Sequence, residues 1–306
     1  MRLIKPSFEI WESGTELNDI LKHIEKCGRI CYASLDKITD DSFQKFYKMI
    51  VNNGHLSVLE HGTVFLTYQG KFNDKMSEII KRYNQNPYSK ICWYTDKNNN
   101  IYIFVTTNLR VLIENRWGAI NPVEYTPHHF KRVTVHITCD RGILSEITRH
   151  RHFSFSVQST RYCNFSGNRF NNQLTFIIPQ WCYPFIVPDT YIKNDEGKIL
   201  SIIDDKNHID YISYDNYSEQ WLKTMYNAEQ TYMNMVHCKI APEKARDILP
   251  LSLATEIVMT GFIEDWKHFF DLRCAPEAHP QMREIAIPLR DEFIKRGYIS
   301  RPENID

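Results

Sequence analysis

Apolar residues recur at helical spacing over 14–32, where Leu17, Ile20, Leu21, Ile24, Cys27 and Cys31 share one face. A second helix is predicted over 40–53, with Phe43, Phe46, Tyr47 and Ile50 inward and Asn53-Gly54 as its stop. The loop 54–62 then feeds an apolar, β-rich run at 63–68. From 71 to 131 the pattern reads as an elaboration. It holds a short helix at 74–83, strands at 91–94 and 101–106 joined by the polar turn 96–100, and a helix at 108–117. Alternation over 133–138 predicts a strand. A short helix over 143–149 would put Glu146 and Arg149 on one face, three residues apart. Residues 163–210 read as loop-rich, apart from a strand at 173–178 and a turn at 194–198 where Gly197 is free to take positive φ. The last third predicts helices at 215–236, 242–246, 255–262, 265–272 and 281–295.

Length and charge narrow the picture. A chain of 306 residues can bury a large core and suggests one or two domains. Lys+Arg and Asp+Glu balance at 37 each, which weakens any broad nucleic-acid binding, since that shows as a basic excess. The N-terminus has no apolar signal core, and no apolar run approaches membrane-spanning length, so a soluble, cytoplasmic protein is expected. The eight cysteines form no CxxC pair, and neither a disulfide framework nor a metal site is expected.

Against that neutral background one stretch stands out. Residues 149–162 hold Arg149, Arg151 and Arg161, His150 and His152, and the hydroxyls of Ser154, Ser156, Ser159 and Thr160, with no acidic residue among them. Arginine forks bind carboxylate and phosphate bidentately, and hydroxyls complete a phosphate shell. Phe153, Phe155 and Val157 alternate with polar residues, so one side should lie on a core rather than form a solvated basic face. The loop 54–62 adds His55, Ser57, Glu60 and His61, where either histidine taken alone reads first as a hydrogen-bonded structural residue and only second as a ligand contact. Arg246 falls close to Ile248, Leu249 and Leu251; buried with them, it would have to pair with an acid such as Glu243 or Asp247, or meet a ligand. No GxGxxG, Walker loop or GxSxG is present.

Arg149-His150-Arg151, seven residues, then Ser159-x-Arg161-Tyr162 resembles the signature of the flavin-dependent thymidylate synthases. Three further pieces resemble that family in the right order: Gly54-His55-x-Ser57-x-x-Glu60-His61, Ala245-Arg246-x-x-Leu249-Pro250, and His268-Phe269-Phe270-x-Leu272-Arg273. The resemblance covers roughly 14–68 and 133–296 and says nothing of 71–131. It implies an α/β (α+β) fold, with a twisted, mainly antiparallel sheet flanked by helices, in a single domain over 1–306. It implies a methyltransferase that turns dUMP into dTMP, with methylenetetrahydrofolate as carbon donor and NADPH as reductant through FAD. It also implies a homotetramer with active sites between subunits, and no nucleic-acid or membrane partner.

Carried over by position, the resemblance assigns Gln158, Ser159, Thr160 and Arg161 to the dUMP phosphate, with Glu146, Arg149 and Arg246 also on the nucleotide. Arg273 falls at the pyrimidine, where a guanidinium stabilises negative charge on the ring and acts catalytically. Arg149, His150 and Arg151 would flank FAD, with His55, Ser57 and His268 on the flavin side. The chain departs from the family pattern at Glu146 (commonly glutamine), Ser156, Val157, His268, Phe262 (a flavin-binding asparagine in some members) and Glu264 (an arginine in some). Another class of function uses the same stretch differently: a non-catalytic nucleotide- or RNA-binding module, with Phe153, Phe155 and Tyr162 as stacking groups.

Overall fold

The computed structural model describes residues 1–117, 120–182, 191–195, 198–203, 209–210 and 216–301. Two short strands, β1 (Arg2–Ile4) and β2 (Ser7–Trp11), precede the helices α1 (Leu17–Ile30) and α2 (Ser42–Asn52). Gly54 takes φ +70° just beyond α2, the left-handed stop that Asn53-Gly54 predicts. A 3-10 turn, Leu56–His61, leads into β3 (Thr63–Lys71). Next come α3 (Asp74–Asn84), the hairpin β4 (Lys90–Thr95) and β5 (Asn100–Asn108), and α4 (Leu109–Asn115). The middle of the chain holds β6 (Arg132–Asp140), α5 (Arg141–Ile147), β7 (Ser154–Val157) and β8 (Thr175–Ile177). Then follow β9 (Tyr191–Asp195), β10 (Lys198–Ile203), β11 (Ile209–Asp210) and the long α6 (Asn216–His237). The chain ends in α7 (Pro242–Ala245), β12 (Ala254–Phe262), α8 (Ile263–Arg273) and α9 (Pro280–Lys295).

The fold is mixed α/β, and its strands fall into three mainly antiparallel sheets. Their orders are β11-β10-β9-β1-β8, β2-β6-β12-β7 and β3-β5-β4, with β1–β8 as the parallel pair. The hairpin turn falls at 96–100 as its polar residues predict; Gly197 lies outside the described residues.

The largest departure from the sequence reading is 255–262. It is not a helix but most of β12, the strand that joins β6 on one side, from Ala254↔Asp140 to Phe262↔Arg132, to β7 on the other. A strand buried on both faces shows no polar–apolar alternation, which removes the signal that separates strand from helix in a short apolar run. Its residues are also β-branched or aromatic in part (Thr255, Ile257, Val258, Thr260, Phe262), as strands favour. The predicted helix over 143–149 likewise ends early. It starts at Arg141, where the Asp140 carboxylate caps the Ile143 amide at 2.8 Å, and stops at Ile147, so Arg149 lies in the turn beyond it.

Four apolar clusters hold these layers among the described residues, the smallest being Trp11, Cys27, Ile30 and Val258 between α1 and the β2-β6-β12-β7 sheet. The first packs α8 and α9 against the β2-β6-β12-β7 sheet through Trp266, Phe269, Phe293, Leu289, Ile137 and Ile257. The second joins β1, β8 and α6. The third packs α1, α2, α3 and α4 on β3 and β5, so the 71–131 elaboration shares its core with the N-terminal helices.

One buried polar chain crosses the four-stranded sheet. His23 Nε2 meets Thr134 Oγ1 at 3.1 Å, Thr134 meets Thr260 Oγ1 at 2.8 Å, Thr260 meets His61 Nδ1 at 2.8 Å, and His61 Nε2 meets Ser156 Oγ at 3.0 Å. His61, of the loop singled out in the sequence, is thus a fully buried structural histidine. Burial is the main cause that holds His23 at about 4 and His61 at about 3, against 6.5 in an open chain; Lys26 and then Arg132 add to it at His23, and the His23 ring and then Arg132 add to it at His61. Both are neutral in the folded state near pH 7, whereas the unfolded chain takes up their protons as soon as the pH drops below 6.5. Their contribution to stability is therefore complete above about pH 6.5 and is lost as the pH falls toward 4, by a few kcal/mol in total on the order of the linkage relation. Urea midpoints across that window should fall with pH, and His61→Gln should flatten the slope; a midpoint independent of pH from 7 to 4 would contradict this account.

Candidate active site

The stretch 149–162 passes through the sheet edge rather than over the surface. Phe153 is buried, its ring lying where a Cβ on Gly261 would approach it to 2.5 Å, so β12 needs glycine at that place. Phe155 and Val157 pack against the same cluster, as their alternation predicts. β7 therefore fixes the stretch between two ends. The first end, 149–153, meets α8; the second, from Gln158 on, meets the start of β12, with the Gln158 amide donating to the Glu256 carbonyl at 2.8 Å.

At the first end Arg273, the last residue of α8, is clasped by three groups. Its Nε–H donates to His150 Nε2 at 2.8 Å, Nη1 to the Glu146 carboxylate at 3.0 Å, and Nη2 to the Glu146 carbonyl at 3.0 Å. A guanidinium cannot accept, so His150 Nε2 is the acceptor and the neutral ring carries its proton on Nδ1. His150 is buried against Phe269, with ring centroids 4.9 Å apart. Burial, then Arg273, then His268 push its pKa from 6.5 to about 4. Thus α5 supplies Glu146, the turn after it supplies His150, and α8 supplies the arginine; together they hold one guanidinium with its side chain 18% exposed.

This clasp forms one wall of a cavity of about 890 Å³, into which Arg149, Arg151 and His268 also face. All three are exposed, and neither arginine side chain has an acidic partner among the described residues. Phe153 and Leu272 give the cavity apolar surface. Of the acidic groups that line it, Glu264 and Asp265 are engaged and Glu277 is exposed. Glu264 binds Lys90 of the hairpin at 2.8 Å, and Asp265 accepts from the Phe262 amide at 3.1 Å, capping α8, with His152 at 3.4 Å. Such a wall suits an anionic ligand with a planar apolar part.

The second end gathers Ser159, Thr160 and Arg161 in a turn after β7. Ser159 Oγ accepts from the Arg161 and Tyr162 amides at 3.2 and 3.3 Å, and no general base adjoins it among the described residues. Arg161 Nε reaches Glu243 of α7 at 3.4 Å, so the turn sits beside the helix that leads to Arg246. Arg246 is exposed rather than buried in apolar company, because the turn Arg246–Ile248 points it outward while Ala245 packs inward. The sequence reading missed Arg141. Its Nη1 is buried without a hydrogen-bond partner among the described residues, and burial followed by Arg246 pushes its pKa below the usual arginine range. In the sequence it is an ordinary turn residue, and nothing there marks it.

His55 and Ser57 are exposed on the turn that packs against β7 and α1; they line neither end within one chain. Phe262 is buried under Lys90, whose Nζ stands 4.7 Å above its ring. No three His, Cys, Asp or Glu side chains converge as metal ligands would among the described residues.

A family model described as thymidylate synthase complementing protein matches residues 99–296. The flavin-dependent thymidylate synthase of Synechocystis sp. is 29% identical over 187 residues, 60% of this chain and 71% of that protein. That of Pyrococcus furiosus is 29% identical over 161 residues, 53% of each, so the match spans about half of that relative. A crystal structure of a UMP/dUMP methylase from Streptomyces cacaoi bound with 5-Br UMP aligns over 96% of this chain and 92% of that one, at 15% identity and a TM-score of 0.42, too low to carry weight.

The clasp makes a direct prediction. Arg273→Ala should raise the His150 pKa from about 4 while leaving it below 6.5, because burial remains its largest cause. An NMR titration of the His150 ring protons reads this; an unchanged value would mean that Arg273 does not face that ring in solution.

Proposed function

The chain belongs to the Thy1 family of thymidylate synthase complementing proteins, and from that premise we propose that it is a flavin-dependent thymidylate synthase. The reaction is reductive methylation of dUMP to dTMP, with methylenetetrahydrofolate supplying the carbon and NADPH the reducing equivalents through FAD. The observation that carries this reading is the Arg273 clasp in a cavity walled by Arg149 and Arg151, each without an acidic partner among the described residues.

The residues present fit a flavin dinucleotide. The cavity of about 890 Å³ pairs two open guanidiniums, suited to a diphosphate, with an apolar wall at Phe153 and Leu272 suited to a ring system. FAD, when bound, carries hydride from NADPH to the reaction. Arg149 and Arg151 hold the anionic linkage in this reading, and His268 stands at the ring side. Phe262 offers packing only, and Glu264 is engaged by Lys90, so the side chains at these two positions do not grip the cofactor as asparagine and arginine would.

For the nucleotide, Arg273 faces the pyrimidine and stabilises negative charge developing on the ring, while neutral His150 and Glu146 hold the guanidinium in place. The Ser159, Thr160 and Arg161 turn binds the phosphate, with Gln158, Arg246 and Arg141 nearby. Arg273 and this turn lie at opposite ends of β7, which spans roughly 13 Å at the rise of an extended strand. In this reading one site takes its pyrimidine end from one copy of the chain and its phosphate end from another. This is the support for a homo-oligomer, a tetramer by the family resemblance, and it leaves His55 and Ser57 to complete a neighbour's flavin site.

The purified protein should be yellow, and should convert dUMP to dTMP with NADPH and methylenetetrahydrofolate. Arg273→Ala should lower turnover by roughly 10²–10³-fold, the scale of losing one charge-stabilising donor, with FAD largely retained. Ser159→Ala should raise the dUMP KM more than it lowers kcat. A colourless protein that takes up no added FAD, and instead binds RNA in a salt-sensitive way, would replace this reading with that of a binding module.

A further inference from the structure

The sheet β3-β5-β4 treats its two edges differently. At the β3 edge the chain covers itself, with the Val123 amide donating to the Phe65 carbonyl at 2.9 Å. The β4 edge is open. The Asp96 amide donates to the Asn100 carbonyl at 2.9 Å, which fixes the parity of the strand. Lys90, Cys92 and Tyr94 turn their backbone groups toward β5, while Ile91, Trp93 and Thr95 turn theirs outward. Among the described residues no hydrogen bond reaches the outward groups of these three.

β4 also carries none of the devices that protect a sheet edge. It holds no proline, and its register runs unbroken from Lys90↔Thr106 to Thr95↔Ile101. Its charged residue, Lys90, is paired with Glu264. Aromatic groups stand on the edge instead: Trp93 is 51% exposed and Tyr94 42%. Tyr94 stacks on Tyr102 of β5 with ring centroids 5.0 Å apart, so a row of rings across the outer face ends here. An unprotected aromatic edge of this kind is a template for another strand.

We propose that β4 pairs antiparallel with β4 of a second copy, about a two-fold axis at Trp93, and joins two three-stranded sheets into one. Parity selects the register. Outward residues must oppose outward residues, so Trp93 faces the partner's Trp93 and Ile91 faces the partner's Thr95. Every outward N–H and C=O of the strand is then paired, whereas a shift of two residues leaves one of the three residues out. The same register sets Lys90 opposite the partner's Asp96, once on each side of the axis. Hydrogen bonds from the Asn100 side chain and amide hold the Asp96 carboxyl below the usual carboxylate range, and Lys90 has N–H groups to spare beyond its bond to Glu264. A two-fold interface requires a patch that matches itself, and this one does. The contact lies on the elaboration, is separate from the sharing of site ends between copies, and does not rest on the synthase reading.

Light scattering on the purified full chain tests it. The wild-type particle should hold an even number of chains at micromolar concentration. Trp93→Lys sets two ammonium groups against each other at the axis and should halve the particle mass, with circular dichroism unchanged because the side chain is half exposed. Under oxidised glutathione Trp93→Cys should form a covalent dimer well beyond wild type, since opposed Cα atoms about 5.5 Å apart lie in disulfide range. Thr95→Cys should not, because it faces the partner's Ile91. Were Trp93→Lys to lose its fold, the two cysteine variants decide. A monomeric wild type would overturn the proposal. So would a folded Trp93→Lys particle of unchanged mass, or cross-linking at Thr95→Cys as strong as at Trp93→Cys, which would mean another register or another partner strand.

Discussion

The pairing of β12 with β6 and β7 at once is the constraint on which the rest depends. Because β12 is central, its residues must be satisfied on both sides and buried on both faces, and almost all of them are. Its two ends then dictate what can be built there. At Phe262 the strand turns directly into α8, which delivers Arg273 to His150 and Glu146. At Ala254 it meets Gln158 and the turn that carries Ser159 and Arg161. The polar chain from His23 to Ser156 runs through Thr260 of the same strand and joins α1 to β7 across it. A slip of one residue in β12 would turn Thr260 away from both His61 and Thr134 and leave His61 Nδ1 buried without its partner, so register and polar satisfaction enforce each other.

Much of this was legible in the residues. The alternation of Phe153, Phe155 and Val157 marks β7, Asn53-Gly54 marks the end of α2, and the polar turn at 96–100 marks the hairpin, because each has one face in water or one backbone angle that few residues adopt. β12 was not legible for the opposite reason: double burial erases the period. The site was legible by residue type and not by arrangement. The sequence shows that Arg149, His150, Arg151 and Arg273 suit anions, but not that His150 accepts from Arg273, since 123 residues separate them and only the sheet brings them together. Arg141 carries no sequence signal at all; what distinguishes it is an unpaired atom in a buried place, a property of packing.

The elaboration is joined to the site chemically as well as through the shared core. Lys90 of β4 binds Glu264 on the first turn of α8 and lies over Phe262. Its ammonium supplies positive charge beside Glu264, a position where the family resemblance allows an arginine. The acidic first turn of α8, with Glu264 and Asp265, is favourable to the helix dipole in any case. The hairpin thus turns a residue that would oppose an anionic ligand into half of an ion pair.

Arg273 has three of its five N–H groups already committed within the chain. Ligand capture at this guanidinium is therefore an exchange as much as an addition. One N–H on Nη1 and one on Nη2 stay open to a ligand; an oxygen that takes the committed Nη1–H must outcompete the Glu146 carboxylate, which then needs water or a proton in its place. The measured affinity is the difference between two pairings of the same cation. In the proposed role, a ligand whose oxygen gains charge as bonds change competes better at that moment than when it arrives, and the clasp would keep the arginine in reserve for that species.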